Sequence, residues 1–224
     1  MTDPNHNKEF FDACASGDLE VVRRGIEEGA DVNSANGDGR SVLMRSAKRG
    51  YEEIVSLLIG GGAEVNARDK NNKTAIMGAA KKGYLTICKM LVDAGADVNA
   101  HDNEGRTALM RASLLGEWEV VSYLIDQGAK PDATDAKGRT ALMDAVLSGK
   151  GETIQTLIDK GANVNIQDNE GCTCLMRASY SSHLDMVKYL ISQGADISIV
   201  DNRGNRAYDY LRSDCPDELK NILK

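Results

Sequence analysis

The chain holds few side chains whose type and spacing would support chemistry. Its sharpest pair is Cys172 and Cys174, separated by Thr173. A structural zinc takes four ligands at characteristic spacings, and no second close cysteine pair exists to complete such a set. The histidines, His6, His101 and His183, are far apart and form no ligand motif. No phosphate-cradling GxxxxGK(S/T) and no GxSxG nucleophile turn occurs. Acids are plentiful, but they recur. Asp31, Glu64 and Asp97 form one series, and Asp69, Asp102, Asp135, Asp168 and Asp201 another, both in steps of 33 residues. A carboxylate repeated at one structural position marks a turn rather than half of a catalytic pair. The expectation is no catalytic residue, no metal, no cofactor and no enzyme.

Composition narrows the class further. Of 224 residues, 42% are hydrophobic and 27% charged, which suits a folded domain rather than a disordered tail. Aromatics make up only 4%, so Leu, Ile, Val and Ala must fill thin layers. A net charge of −7 speaks weakly against a dedicated nucleic-acid binder, without bearing on local patches. Five scattered cysteines, an odd number, suit a reducing compartment. The opening MTDPNHNKEF has no apolar signal region, and no apolar run approaches the roughly 20 residues that span a bilayer. The expected location is cytoplasmic, with export into a host cell by a signal-less route left open.

The spacing of the acids belongs to a pattern covering nearly the whole chain. A Gly-Ala pair begins at Gly29, Gly62, Gly95, Gly128, Gly161 and Gly194. A second glycine recurs at Gly17, Gly50, Gly83, Gly116 and Gly149, with Ser182 in its place once. Between them an apolar signature repeats: Ile54, Val55, Leu58, Ile59, then Ile87, Cys88, Leu91, Val92, then Val120, Val121, Leu124, Ile125. That spacing puts four side chains on one helical face, so each unit carries a helix there. A shorter helix precedes it, with Thr107 of TALMRAS at an N-cap and small residues at Ala79, Ala112, Ala145 and Ala178 for close approach. The mid-unit glycine turns one helix into the next, and the glycine before alanine closes the second in the left-handed region.

This pattern resembles the ankyrin repeat family. The resemblance rests on Asp102, Gly105, TALM at Thr107–Met110, Gly116, VVSYLIDQGA at Val120–Ala129 and GADVNA at Gly95–Ala100, and it covers roughly residues 8–212. It implies an all-α repeat: a solenoid of stacked helix-turn-helix units joined by β-hairpin-like loops, with a concave face of hairpin tips and first helices. The expected organisation is one domain over 1–224. A capping repeat spans 5–34, full repeats span 35–67, 68–100, 101–133, 134–166 and 167–199, and a C-terminal capping repeat spans 200–224. The family's Thr-Pro-Leu-His is altered throughout: Val, Ala or Cys replaces proline, and Met replaces histidine. The resemblance places Cys174 at the proline position, hence packed, leaves Cys172 facing the surface, and gives His183 a structural role.

Binding residues should lie where the repeat itself makes no demand. In the family these are the residues around the hairpin acid and at the end of helix one. The first two full units offer Ala35, Gly37, Asp38, Arg40, Lys48, Arg49, Arg68, Lys70, Asn71, Lys73, Lys81 and Lys82. Eight are basic and one is acidic, in a chain that is acidic as a whole. Arg106 follows in the third unit, and the phrase LMRAS adds Arg45 and Arg111. Further on, the same positions turn apolar at Leu114, Leu115, Leu147 and Tyr180. Trp118 occupies a position filled elsewhere by leucine and should pack. Asp144 should form a surface ion pair with a neighbouring LMRAS arginine, Arg111 or Arg177, worth under about 1 kcal/mol. Acids near the starts of the second helices, such as Glu52, Glu53 and Glu119, complement the helix dipole. The resulting reading is a non-enzymatic protein–protein interaction module, scaffold or regulator, monomeric on its own. Its partner presents an acidic and an apolar segment to the groove; the alternative is a nucleic acid or other polyanion on the basic stripe.

Overall fold

A computed structural model describes residues 4–224, with side chains from Asn7 onward; His6 therefore lies outside the described side chains. Thirteen α-helices and one 3-10 turn account for the regular structure among these residues, and Ala35 and Ser41 form an isolated antiparallel bridge. The chain divides into two compact units, one running to Asn103 and the other beginning at Glu104.

In the first unit the helices come in pairs: α1 (Pro4–Ser16) with α2 (Leu19–Glu27), α3 (Val42–Arg49) with α4 (Glu52–Gly60), and α5 (Ala75–Ala80) with α6 (Leu85–Asp93). First helices α1, α3 and α5 pack side by side, as do second helices α2, α4 and α6, giving two layers. The second unit repeats the plan with α7 (Ala108–Leu115) and α8 (Trp118–Asp126), α9 (Ala141–Leu147) and α10 (Gly151–Asp159), α11 (Cys174–Tyr180) and α12 (Leu184–Ser192). A 3-10 turn (Ala207–Tyr210) packs on α11, and α13 (Asp217–Ile222) packs on α12.

The periodic apolar signature is the seam between the layers. Ile54, Val55 and Leu58 are buried, as are Ile87, Cys88 and Leu91, and Val120, Val121 and Leu124. The fourth member of each set (Ile59, Val92, Ile125) is only half-buried, because it sits at the edge of the helical face. Ser41, Thr107, Thr140 and Thr173 cap the first helices by accepting the amide three residues on, at 3.2–3.4 Å. Thr74 makes no such bond, its buried hydroxyl lacks a partner, and α5 is the shortest first helix.

Neighbouring repeats are tied by backbone bonds between successive hairpin turns. Lys70 N–H donates to Asp38 O (2.9 Å) and Asn103 N–H to Asn71 O (3.0 Å) in the first unit. In the second unit Ala136 donates to Glu104 O (2.9 Å), Asn169 to Lys137 O (3.0 Å) and Asn202 to Glu170 O (3.0 Å). The recurring acid shapes each turn: Asp69, Asp135, Asp168 and Asp201 each accept the amides two and four residues ahead, at 2.8–3.0 Å. The other end of the repeat has its own tie. Asn33 accepts from Glu64 N–H, Asn66 from Asp97 N–H and Asn165 from Asp196 N–H, at 2.7–2.8 Å.

Ser182, which stands where other units carry glycine, keeps the left-handed backbone at φ +53°, and its buried hydroxyl has no hydrogen-bond partner. A β-carbon in that region is strained, while glycine adopts it freely. Ser182→Gly should therefore stabilise the protein by about 0.5–1 kcal/mol, the relief of strain exceeding the added freedom of the unfolded chain. Thermal melting of the two proteins checks this, and a lower midpoint for the glycine variant would contradict it.

Candidate functional site

In the first unit the basic residues come from three places. Lys48 and Arg49 close α3, Lys81 and Lys82 follow α5, and Arg40 and Lys73 precede the N-caps of those helices. Arg40, Lys48, Arg49, Arg68, Lys70, Lys81 and Lys82 are exposed, and Lys73 is half-buried. Burial, and then the positive charges of Arg40, Lys81, Lys82 and Lys73, push the Lys48 ammonium below its ordinary pKa. The structure thus brings Arg40, Lys48, Lys73, Lys81 and Lys82 into one electrostatic neighbourhood. Arg40 lies 3.6 Å from Asp69 and 3.7 Å from Asp38, and Arg68 donates to His101 O at 3.2 Å. Arg45 is partly covered, its guanidinium 5.0 Å from the Phe11 ring centroid in a cation–π contact.

The second unit handles charge differently. Arg106, expected on the binding surface, is instead buried: it is 8% exposed, hydrogen-bonds the Asp144 carboxylate and stands 3.6 Å from Asp135. Asp144 is likewise buried, so the pair expected at the surface is an interior one, with Arg106. Arg177 bonds Asp168, the acid of its own turn. Burial raises the Asp144 pKa despite the Arg106 guanidinium beside it. Burial alone would also raise that of Asp135, but bonds from the Arg139 side chain and from the Arg139 and Lys137 amides outweigh it and hold the pKa low.

The apolar candidates divide. Leu147 and Tyr180 are 52% and 65% exposed and Leu115 is 40% exposed, whereas Leu114 and Arg111 are half-buried. Trp118 does not pack as expected; it is 43% exposed at the start of α8, joining the exposed apolar residues of this unit.

Comparison with known proteins decides the family. The family described as "Ankyrin repeats (3 copies)" matches residues 10–102, 62–135, 77–168 and 109–201. The chain belongs to the ankyrin-repeat family. The ankyrin repeat domain of Bcl-3, described as a unique member of the IkappaB protein family, superposes with a TM-score of 0.84 at 29% identity, over 96% of this chain and 97% of that one. The human ASB11 ankyrin repeat domain gives 0.87 at 20% identity, over 100% of this chain and 98% of that one, a likeness of fold. A search of curated proteins finds no significant match. Ankyrin repeats are protein–protein interaction modules.

Within this ankyrin fold the cysteines are free thiols and buried. Cys172, expected to face the surface, is 6% exposed; its sulfur lies 3.0 Å from the Tyr210 hydroxyl, which donates to Asp201 at 2.7 Å. Cys174 packs as expected and donates to Val164 O at 3.0 Å. Burial pushes the thiols of Cys14, Cys88 and Cys174 up to about 12, which keeps them protonated at neutral pH. Among the described residues no group of His, Cys, Asp and Glu is arranged to hold a metal ion, and no helix is long and apolar enough to cross a membrane. His183 occupies the N-cap of α12, but its exposed ring makes no capping bond, so the structural role expected of it falls to its backbone.

Sequence reasoning missed two contacts that shape the basic surface. Phe11 lies beneath Arg45, and Gly78 leaves room for Lys48, whose Cβ would lie 3.2 Å from any Cβ added there. Gly78 is legible, since it interrupts a series of charged residues at Arg45, Arg111, Asp144 and Arg177. Phe11 is not, because its partner lies one repeat away.

The buried ion pair generates one prediction and the terminal turn another. Arg106→Met, which leaves Asp144 uncompensated, should lower the unfolding free energy in urea by about 3–5 kcal/mol, and adding Asp144→Leu should recover most of the loss. Equal stability of Arg106→Met and the parent would contradict the interior pairing. The Tyr210 hydroxyl bond, foremost among several, holds the Asp201 carboxyl well below the usual range. A depressed acid contributes stability above its unfolded pKa and loses it as pH falls through the folded one. Tyr210→Phe should thus move acid unfolding to higher pH, followed by circular dichroism; an unmoved midpoint would contradict this.

Proposed function

We propose that this ankyrin protein is a non-enzymatic module that holds a protein partner, as scaffold or regulator, through an acidic segment docked on Arg40, Lys48, Lys73, Lys81 and Lys82. One observation carries this reading: among the described residues Lys48, Lys73, Lys81 and Lys82 have no carboxylate in ion-pair range, although the chain as a whole is acidic. Cations at helix ends complement the dipole, and that alone would explain a lysine here and there. It does not explain their concentration in one unit. A partner's acidic residues supply the missing counter-charge and are steered toward it from a distance, which raises the association rate and makes it fall with salt.

The second unit contributes contacts of another kind. Leu115, Trp118, Leu147 and Tyr180 are large apolar side chains with exposed surface, suited to apolar residues of a partner. A nucleic acid on the basic surface is the competing polyanion. The aromatic rings near these helix ends are already engaged: Tyr84 packs on Gly50, Tyr51 packs on Gly17 and donates to Ser16 O, and Phe11 lies under Arg45, which disfavours them as a platform for base stacking.

An Asp- and Glu-rich peptide should bind the full chain with an affinity that falls as salt rises. The Lys81→Glu, Lys82→Glu double variant should lose about tenfold or more. Unchanged affinity in the variant would remove this surface from consideration. A lysine-dependent gel shift of duplex DNA at physiological salt would favour the polyanion reading instead.

A further inference from the structure

The arrangement around Gly78 narrows the class of partner. At the corresponding position the other full repeats carry Arg45, Arg111, Asp144 or Arg177. Because residue 78 has no side chain, the stem of Lys48 lies directly on α5. Lys81 follows Gly78 by three residues, on the same helical face, and Lys82 is adjacent. Lys73 enters from the loop before α5, and its charge acts on Lys48 together with those of Arg40, Lys81 and Lys82. Of these five residues only Arg40 has carboxylates in reach among the described residues. Lys48 thus feels the charges of Lys73, Lys81 and Lys82, and none of the four has a carboxylate in ion-pair range among the described residues.

The fold does not require that concentration. At and just after the ends of their first helices the second unit's repeats carry Leu114–Leu115, Leu147–Ser148 and Tyr180–Ser181, where the first unit carries Lys48–Arg49 and Lys81–Lys82. Like charges gathered in this way repel one another, a cost the apolar ends avoid.

Charge density identifies the ligand. A carboxylate brings one negative charge, and successive carboxylates on an extended segment are spaced out by at least the roughly 3.3 Å advance per residue. A phosphate ester brings about −1.5 to −2 on a single centre, with three acceptor oxygens. Lysine ammonium groups, each a compact charge with three donors, can converge on such a centre. We propose that Lys48, Lys73, Lys81 and Lys82, with Arg40 at the edge, form a recognition site for a phosphorylated segment of the protein partner. This rests on the acidic-segment reading above and narrows it. Gly78 is the specificity-determining position. An acid there would neutralise the cluster from within, as Asp144 does for Arg106 in the second unit.

The test uses three short Gly–Glu peptides that differ only in one central residue: serine, glutamate or phosphoserine. Each is titrated calorimetrically into the full chain at fixed ionic strength. The phosphoserine peptide should bind about tenfold or more tighter than the glutamate peptide. Gly78→Asp should abolish that preference while the protein retains its cooperative thermal melt. Lys48→Gln, a change at an exposed side chain, should weaken the preference as well and serves if the Gly78 variant fails to fold. Equal affinity for the phosphoserine and glutamate peptides, both weakened by Lys81→Glu with Lys82→Glu, overturns the phosphate site and leaves the acidic-segment reading standing. No binding of any of the three peptides overturns both.

Discussion

Successive hairpin turns in this protein are joined by one backbone hydrogen bond, from the amide just past the turn acid to a carbonyl of the turn before it. For that bond to form, the donor turn must be rigid and must come close. Rigidity comes from the turn acid, whose carboxylate takes up the amides two and four residues ahead: Asp135 does this for Lys137 and Arg139, and Asp168 for Glu170 and Cys172. Closeness comes from glycine. A Cβ at Gly138 would stand 2.6 Å from the Asn169 nitrogen, and one at Gly171 2.7 Å from the Asn202 nitrogen. The turn acids are buried, and a buried polar group is costly unless bonded. The acids that recur with the repeat are thus fully occupied by architecture.

With the turns tied to one another, the C-terminal ends of the first helices are free to vary in their charged heads, although the Lys48 stem still packs on α5. One unit fills them with lysine and arginine, the other with leucine and tyrosine, and both keep the same paired-helix plan. The two units also differ in where they place charge. The first leaves cations on the surface, with Lys48 lying across Gly78. The second buries an arginine between two aspartates, Asp135 and Asp144. Inside, Arg106 is held by two carboxylates; outside, Lys48 has none in ion-pair range among the described residues. That contrast separates Arg106 from Lys48, although both stand at positions the repeat leaves variable.

The fold was legible because its constraints are local and repeated. Glycine at a left-handed turn, threonine at an N-cap and the 0, 1, 4, 5 apolar face each leave a mark at fixed spacing. The site was only partly legible. The exposure of Lys48, Lys81 and Lys82 was readable from their standing at positions where the repeat makes no demand. Arg106 was misread because its burial depends on Asp144, 38 residues away, a pairing that occurs once and leaves no periodic trace. Cys172 was misread for the same reason: Tyr210, which covers it, belongs to the final segment where the period has broken off. Trp118 shows the converse, since a helix position that holds leucine in other units admits a larger and more exposed ring here.

Separate stacking and recognition require independence of the turn ladder from the charges at the helix ends. Native-state hydrogen exchange measures it directly, at the amides of Lys70 and Asn103 in the parent and in a Lys48→Glu, Lys81→Glu, Lys82→Glu variant. Both amides should exchange slowly, and equally slowly, in the two proteins. Rapid exchange in the parent, or protection lost only in the variant, would contradict the claim that stacking and recognition are held by separate sets of residues.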